Sequence, residues 1–302
     1  MRMPADNGRE DARNNYFEQG YLLRKGFFGE EIVLLSALVD RDKRLLLERE
    51  DVTVDSQGGE ASNLGYLGHG EDVITAFAAT ARSVNLVTDL LEDEIYLLKG
   101  RLNIKWGDGA PERRGGWDPH QDRAAWAKEG LPGDAALTAA IAIDDAGVEE
   151  GTLEIIPGSH SRGILEHTAI ESGYGIPDHI VRPLMENNGR LPLEMTAGDM
   201  VIFSGDLIHL SRPNLGSRRR ALLFLTYNAV GNSPAPGTSP SRYQCPGPLR
   251  GRDDSILGGL AREFRAGRYS PGLDWDAIQR ERKIDIAEDI DSGWTDLTPT
   301  LR

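Results

Sequence analysis

The chain has a single cysteine, Cys245, among 302 residues. One thiol cannot close an internal disulfide, so the fold does not depend on an oxidising compartment. Basic residues are in deficit: 34 Lys and Arg stand against 48 Asp and Glu, a formal charge of −14. Contacts to a phosphate backbone need clustered cations, which argues against a nucleic-acid partner. The one dense basic cluster, Arg218-Arg219-Arg220, lies beside an apolar strand pattern rather than on a long basic face. No apolar run approaches the roughly 20 residues of a membrane span, and residues 1–15 lack the apolar core of a secretory signal. Internal repeats and low-complexity blocks are absent from the sequence. These absences predict a cytoplasmic protein that acts on a small molecule, without nucleic-acid or membrane partners, as a monomer or homodimer.

What is present describes an ordinary soluble protein, with 39% hydrophobic and 27% charged residues, long enough to bury a substantial core. Residues 1–15 read as a disordered lead-in and 16–302 as a single domain, with a β core over about 95–230, a helical N-terminal part and a C-terminal extension. Glu30-Glu31 opens a helix in which Ile32, Leu35 and Val39 recur at helical spacing, and a second helix is expected from about Ser83 to Glu92. From Ile95 the period becomes two. Leu98, Gly100, Leu102, Ile104 and Trp106 alternate with Lys99, Arg101, Asn103 and Lys105, so one face is polar and is either solvated or turned into an interior cavity. Strands follow at Ala136–Ile143, Thr152–Ile156, Leu191–Met195, Met200–Phe203 and Ala221–Tyr227, separated by turns such as Pro157-Gly158 and Gly198-Asp199. The pattern predicts a mainly β chain with flanking helices, built on a jelly-roll core of the double-stranded β-helix, cupin-like kind. The tail around Asp274–Ile290 reads as a charged, partly amphipathic helix.

Of six histidines, His69, His120, His160, His167, His179 and His209, two have metal-like company. His120 is two residues before Asp122, and in extended backbone such a pair points to the same face. His209 follows the strand Met200–Phe203 and completes two imidazoles and one carboxylate, a set that can hold a metal facially and leave coordination positions open. An isolated His-x-Asp is a weak signal. The third element is Arg220, eleven positions after His209 at the start of a strand, because a fixed guanidinium near such a site suits a dicarboxylate co-substrate.

Beyond these residues the chain resembles the phytanoyl-CoA dioxygenase (PhyH) superfamily, and within it the ectoine-hydroxylase-like branch, from about Gly20 to Arg242. The resemblance is densest at Arg101-Leu102-Asn103-Ile104-Lys105, Pro119-His120-Gln121-Asp122, Glu129-Gly130-Leu131-Pro132 and Leu153 to His160, and continues through Gly198-Asp199, His209, Ser211, Arg220 and Tyr227-Asn228-Ala229-Val230. It implies Fe(II) bound by His120, Asp122 and His209, with 2-oxoglutarate and O₂ as co-substrates. It implies that Arg220 anchors the distal carboxylate of 2-oxoglutarate with Ser211 beside it, and that Lys105, Asn103 and Thr138 lie near the co-substrate. Trp126 matches an aromatic on the substrate side, where Gln121 and Arg123 are further candidates; a packed core role for Trp126 is the alternative. Ala124 stands where ectoine hydroxylases carry a glutamate, so the resemblance does not extend to ectoine as substrate. The function implied is a dioxygenase that hydroxylates an unactivated C–H bond of an amino-acid-like molecule or natural-product intermediate, releasing succinate and CO₂. Desaturation or cyclisation by the same class, a non-catalytic cupin-type binding protein and a zinc hydrolase are the other readings.

Overall fold

The computed structural model describes residues 7–41, 51–54, 60–66, 72–107, 115–170, 173–239 and 243–272. His69 and the tail helix expected at 274–290 lie outside them. In chain order the elements are α1 (Asn7–Gln19), β1 (Tyr21–Arg24), a 3₁₀ turn (Glu30–Ile32) running into α2 (Val33–Arg41), β2 (Asp51–Val54), β3 (Glu60–Tyr66), α3 (Val73–Ala78), α4 (Ala81–Leu91) and β4 (Ile95–Lys105). There follow β5 (Trp117–His120), α5 (Asp122–Lys128), β6 (Ala136–Ala142), β7 (Leu153–Ile155), β8 (Thr168–Ile170), β9 (Gly173–Gly175) and α6 (Asp178–Asn188). The last are β10 (Leu191–Pro192), β11 (Met200–Ser204), β12 (His209–Ser211), β13 (Arg220–Ala229) and α7 (Ser255–Arg265).

Among the described residues these strands make a seven-stranded sheet in the order β1-β11-β6-β13-β4-β3-β2, a four-stranded sheet β10-β7-β12-β5, and the pair β8-β9. All pairings between named strands are antiparallel. Strand alternation decides what each face of the large sheet meets. Leu137, Ile141, Ile202 and Leu223 point outward and join Leu34, Leu38, Phe77 and Val87 of the helices in one buried cluster. Their neighbours Ala140, Ala142, Val201, Phe203 and Leu222 point inward and pack on Leu153 and Ile155 of the small sheet. Helices cover one face, the small sheet covers the other, and the result is the expected jelly roll with flanking helices.

Two expectations change in this fold. Residues 7–15 are helical, where disorder was expected. Mixed polar residues give this segment no apolar stripe to betray it, and it is tied down at its C-terminal end, where Tyr16 is buried and its carbonyl accepts from Gly20 N at 2.7 Å. Leu98 leaves the apolar face assigned to it. The β4–β13 register pairs Thr226 with Lys99 but Tyr227 with Leu97, so Leu98 is the extra residue of a β-bulge. Leu102 and Ile104 face the helices as expected, whereas Leu98 joins Tyr96 and Trp126 in a separate cluster on the other side.

Candidate active site

The inner surfaces of the two sheets enclose a cavity of about 550 Å³, counting its open mouth. The polar face of β4 forms one wall through Lys99, Arg101 and Asn103, which settles whether that face is solvated or enclosed.

At one end lie His120, Asp122 and His209. His120 closes β5, Gln121 is extended (φ −121°, ψ 126°), and Asp122 is the first residue of α5. The extended link brings the imidazole and carboxylate to the same side, as expected, although the aspartate itself is helical. His209 is the cross-strand partner of His120, with ring centroids 4.1 Å apart. One ligand atom from each of the three residues lies within 4.8 Å of the others, and Asp122 Oδ1 is 4.0 Å from His120 Nε2 and 3.9 Å from His209 Nε2. Each Nδ1 is occupied by a backbone carbonyl, that of Asp118 at 2.7 Å and that of Leu207 at 3.0 Å. Donation from Nδ1 fixes the tautomer that leaves the Nε2 lone pair for a metal. Burial, and then the neighbouring His209, lower the His120 pKa to about 3, so this ring is neutral at physiological pH. Burial pushes the Asp122 carboxyl up, but His209, His120, Lys99 and Arg101 outweigh it and hold the group below its ordinary range. Two imidazoles, each held through Nδ1, and one carboxylate are the donor set that ferrous iron takes.

At the other end is Arg220, 1% exposed. Its Nε and Nη2 donate to Gly151 O at 3.2 and 3.0 Å, and its Nη1 donates to Asn103 Oδ1 at 2.6 Å. These acceptors are neutral, so the positive charge is held without an ion pair among the described residues; burial pulls its pKa down to about 9. Gly151 has a positive φ of 68°, and a Cβ there would come within 2.3 Å of Arg212 O, so only glycine lets this carbonyl reach the guanidinium. Ser211 lines the cavity beside Arg220, its Oγ taking a hydrogen bond from Lys105 Nζ at 2.7 Å. Arg218 and Arg219 are directed elsewhere, onto Glu150 and onto Asp144 and Asp40 respectively.

The other sequence candidates divide. Asn103 and Thr138 line the cavity, but Thr138 Oγ1 donates to Asp122 Oδ2 at 3.1 Å, so it serves the metal-binding carboxylate directly. Lys105 is fully buried behind Ser211 and does not line the cavity. Gln121, Arg123 and Trp126, the substrate-side candidates, are outside the lining. Gln121 points away from its two neighbours, as alternation requires, and clamps Gly163 O and Asp206 O at 2.8 and 2.6 Å. Arg123 pairs with Asp206 at 2.7 Å. Trp126 is packed with Tyr96, Leu98 and Tyr243, so close to the chain that a Cβ on Gly205 would lie 2.6 Å from its ring. Ala124 is buried on α5 and does not reach the cavity either. The cavity is also lined by residues that the sequence did not single out as site candidates: Lys99, Arg101 and Thr226, with Trp117, Leu153, Leu210 and Phe224 as apolar lining; the period-two polar face of β4 was the signal for the first two. His167, one of the histidines without metal-like company in the sequence, accepts from Gln121 N through Nε2 at 3.0 Å and so braces the link between the metal ligands.

Thr138→Val removes the hydrogen bond that orients Asp122 at almost constant volume. We expect Fe(II) affinity, measured by anaerobic titration, to fall roughly 10–100-fold, the range for partners of metal ligands. Unchanged affinity would reduce Thr138 to packing.

A facial set of two histidines and one carboxylate inside a jelly roll defines the non-haem iron oxygenases as a class. Sequence comparison gives the family: residues 16–222 match the model for phytanoyl-CoA dioxygenase (PhyH), and the chain belongs to that family. It is 30% identical over 243 residues to an L-proline trans-4-hydroxylase of Streptomyces griseoviridis, across 74% of this chain and 88% of that one. An ectoine dioxygenase of Bordetella bronchiseptica is 26% identical over 244 residues, across 76% and 78% of the two chains. In fold the chain is similar to EctD from S. alaskensis solved with 2-oxoglutarate and 5-hydroxyectoine, with a TM-score of 0.62 at 24% identity, covering 80% of this chain and 86% of that one. The protein is an Fe(II)- and 2-oxoglutarate-dependent dioxygenase acting on a small molecule, which sets aside the non-catalytic and zinc-hydrolase readings. Among the described residues no helix is long and apolar enough to cross a membrane.

Proposed function

We propose that the enzyme hydroxylates an unactivated C–H bond of an amino-acid-like molecule or natural-product intermediate, with 2-oxoglutarate converted to succinate and CO₂. The observation that carries this reading is the pairing, across one small cavity, of the three metal ligands with a buried arginine whose partners are neutral. Of the five N–H groups of Arg220, three are used on Gly151 and Asn103 at ordinary distances. A fourth reaches Asn103 O at a long 3.5 Å, so the terminal nitrogens can still turn a planar fork to the distal carboxylate of 2-oxoglutarate by giving up that weak contact. Ser211, held by Lys105, offers a hydroxyl to the same carboxylate. His120, Asp122 and His209 would hold iron(II), which would supply the activation of O₂, the oxidant of both substrate and 2-oxoglutarate. The chain's own part is positional: Thr138 holds Asp122, backbone carbonyls hold both imidazoles, and Leu153 and Phe224 line the walls.

The test is product analysis with purified full chain, Fe(II), 2-oxoglutarate and O₂ over amino acids including L-proline, with ectoine included since the Ala124 position does not face the cavity. A product heavier by one oxygen atom, formed in step with succinate, is expected. A product lighter by two hydrogens would replace hydroxylation by desaturation or ring closure.

A further inference from the structure

Strand pairing sets two of the three metal ligands against each other but not the third. His120 and His209 are cross-strand partners on β5 and β12, and the register of that pair already shifts between His209 and Ser211. Asp122 is beyond the end of β5, at the start of α5. A helix of seven residues is not stable on its own, so the aspartate needs another tie to His209. Three hydrogen bonds supply it, and all run to the turn that leads into His209. Gln121 Nε2 donates to Asp206 O at 2.6 Å, Arg123 N to Gly205 O at 2.9 Å, and Arg123 Nε to Asp206 Oδ1 at 2.7 Å. Both chain neighbours of Asp122 are thus fastened to two consecutive residues of one turn. The turn is itself closed, with Leu207 N donating to Ser204 O at 2.9 Å and Asp206 N to Ser204 Oγ at 3.2 Å. Its Leu207 carbonyl is the one that orients the His209 ring. Gly205 lets the two arms close up: a Cβ there would lie 2.6 Å from the Trp126 ring and 3.3 Å from Arg123 Cβ. Of the three bonds, only that between Arg123 and Asp206 is made by two side chains, which are 18% and 7% exposed. It is an ion pair largely withdrawn from water, unlike the solvated pairs that contribute little.

We propose that Arg123 and Asp206 are positioning residues, whose ion pair sets the separation of the Asp122 carboxylate from the His209 imidazole and so the affinity of the site for iron(II). This rests on the ligand set and is independent of which substrate bond is oxidised. Neither residue lines the cavity. They act through the backbone, one immediately after Asp122 and the other three residues before His209. A site must be held to within about 0.5 Å of its working geometry, and a lock between its two arms is the means of doing so where strand pairing stops.

The experiment is a double-mutant cycle on the full chain, read by anaerobic Fe(II) titration. Arg123→Met and Asp206→Ala should each weaken iron binding by roughly tenfold or more, within the range for partners of metal ligands. The double variant should lose little more than either alone, since both substitutions remove the same bond. Asp206→Asn, which keeps the accepting Oδ1, should recover part of the affinity. Co(II) bound to Arg123→Met should show a visible ligand-field spectrum different from that of the wild type, which a loss of stability alone does not produce. Arg219→Ala is the control: its ion pair with Asp144 is buried to a similar degree but lies on other elements. It should lower the Tm of metal-free protein while iron affinity stays within about twofold. Iron bound within about twofold of wild type by both single variants, strictly additive losses, an unchanged Co(II) spectrum, or an equal loss of affinity in Arg219→Ala would overturn the proposal. If Asp206→Ala does not fold, Arg123→Met with Asp206→Asn completes the cycle. A wild-type chain that binds no iron would overturn the ligand set and this proposal with it, whereas tight wild-type binding that the variants leave unchanged refutes the lock alone.

Discussion

His209→Ala is expected to remove tight iron binding and succinate formation together while the protein stays folded. The ring is 5% exposed, fixed through Nδ1 to Leu207 O, and set against Phe203 and His120 with centroids 4.8 and 4.1 Å away. Among the described residues its Nε2 makes no hydrogen bond, and Asp122 Oδ1 is 3.9 Å away. The side chain is thus oriented by the fold but not needed to close it. Partners of metal ligands alone account for roughly 10–100-fold in affinity, so loss of a ligand should cost on the order of a hundredfold or more. Anaerobic Fe(II) titration and thermal denaturation of metal-free protein, done in parallel, read the two effects separately. Iron bound at wild-type affinity would remove His209 from the ligand set; collapse of the metal-free fold would mean that the imidazole is also structural.

Arg220→Ala should raise KM for 2-oxoglutarate by roughly 10- to 150-fold, the equivalent of about 1.5–3 kcal/mol for a hydrogen bond to a charged group. Arg218→Ala and Arg219→Ala should leave that KM within about twofold, since neither residue lines the cavity. Arg219 pairs with Asp144 through two bonds of 2.8 Å and its side chain is 16% exposed, so its loss should appear in stability instead. Removing Arg220 also takes its donors from Asn103 Oδ1 and Gly151 O, leaving Lys105 Nζ at 3.3 Å on the latter, and some loss of Tm accompanies the kinetic effect. Arg220→Lys, which keeps charge but loses the fork, should recover only part of the affinity. A large KM effect in the Arg219 variant would show that the co-substrate reads a different arginine.

The parts of the site that were legible in the sequence are those carried by backbone period or by a charge with a job. His120 and Asp122 could be placed together because Gln121 is extended, and Arg220 stood out because its strand is otherwise apolar. The same period, applied once more, sends Gln121 to the opposite face, and helix α5 then carries Arg123 and Trp126 away from the lining. Family likeness had placed those residues on the substrate side, whereas local geometry makes them supports. Helices α1, α6 and α7 were missed for a different reason. An apolar period is present in α6 (Ile180, Val181, Leu184) and α7 (Leu257, Leu260, Ala261, Phe264), but Pro183 inside the first and Gly258-Gly259 inside the second read as breakers, while α1 has no apolar stripe. The metal ligands depend on long-range pairing between β5 and β12, which no local pattern specifies; only the chemistry of the three side chains pointed to it.

The extra residue at Leu98 has a genetic reading. Before it, Tyr96 and Leu98 project beneath the cavity with Trp126; after it, Lys99 and Arg101 project into the cavity on the same side of the sheet. Even- and odd-numbered positions thus exchange faces at one point. A strand of unbroken parity could supply the Tyr96–Leu98 floor or the cationic wall on that side, but not both. Substitution cannot change parity, whereas one added or deleted codon can. Diversification of this wall among enzymes of the same architecture is therefore open to indels at the bulge, which shift the floor by one position while the Asn103–Lys105 end keeps its pairing with β13.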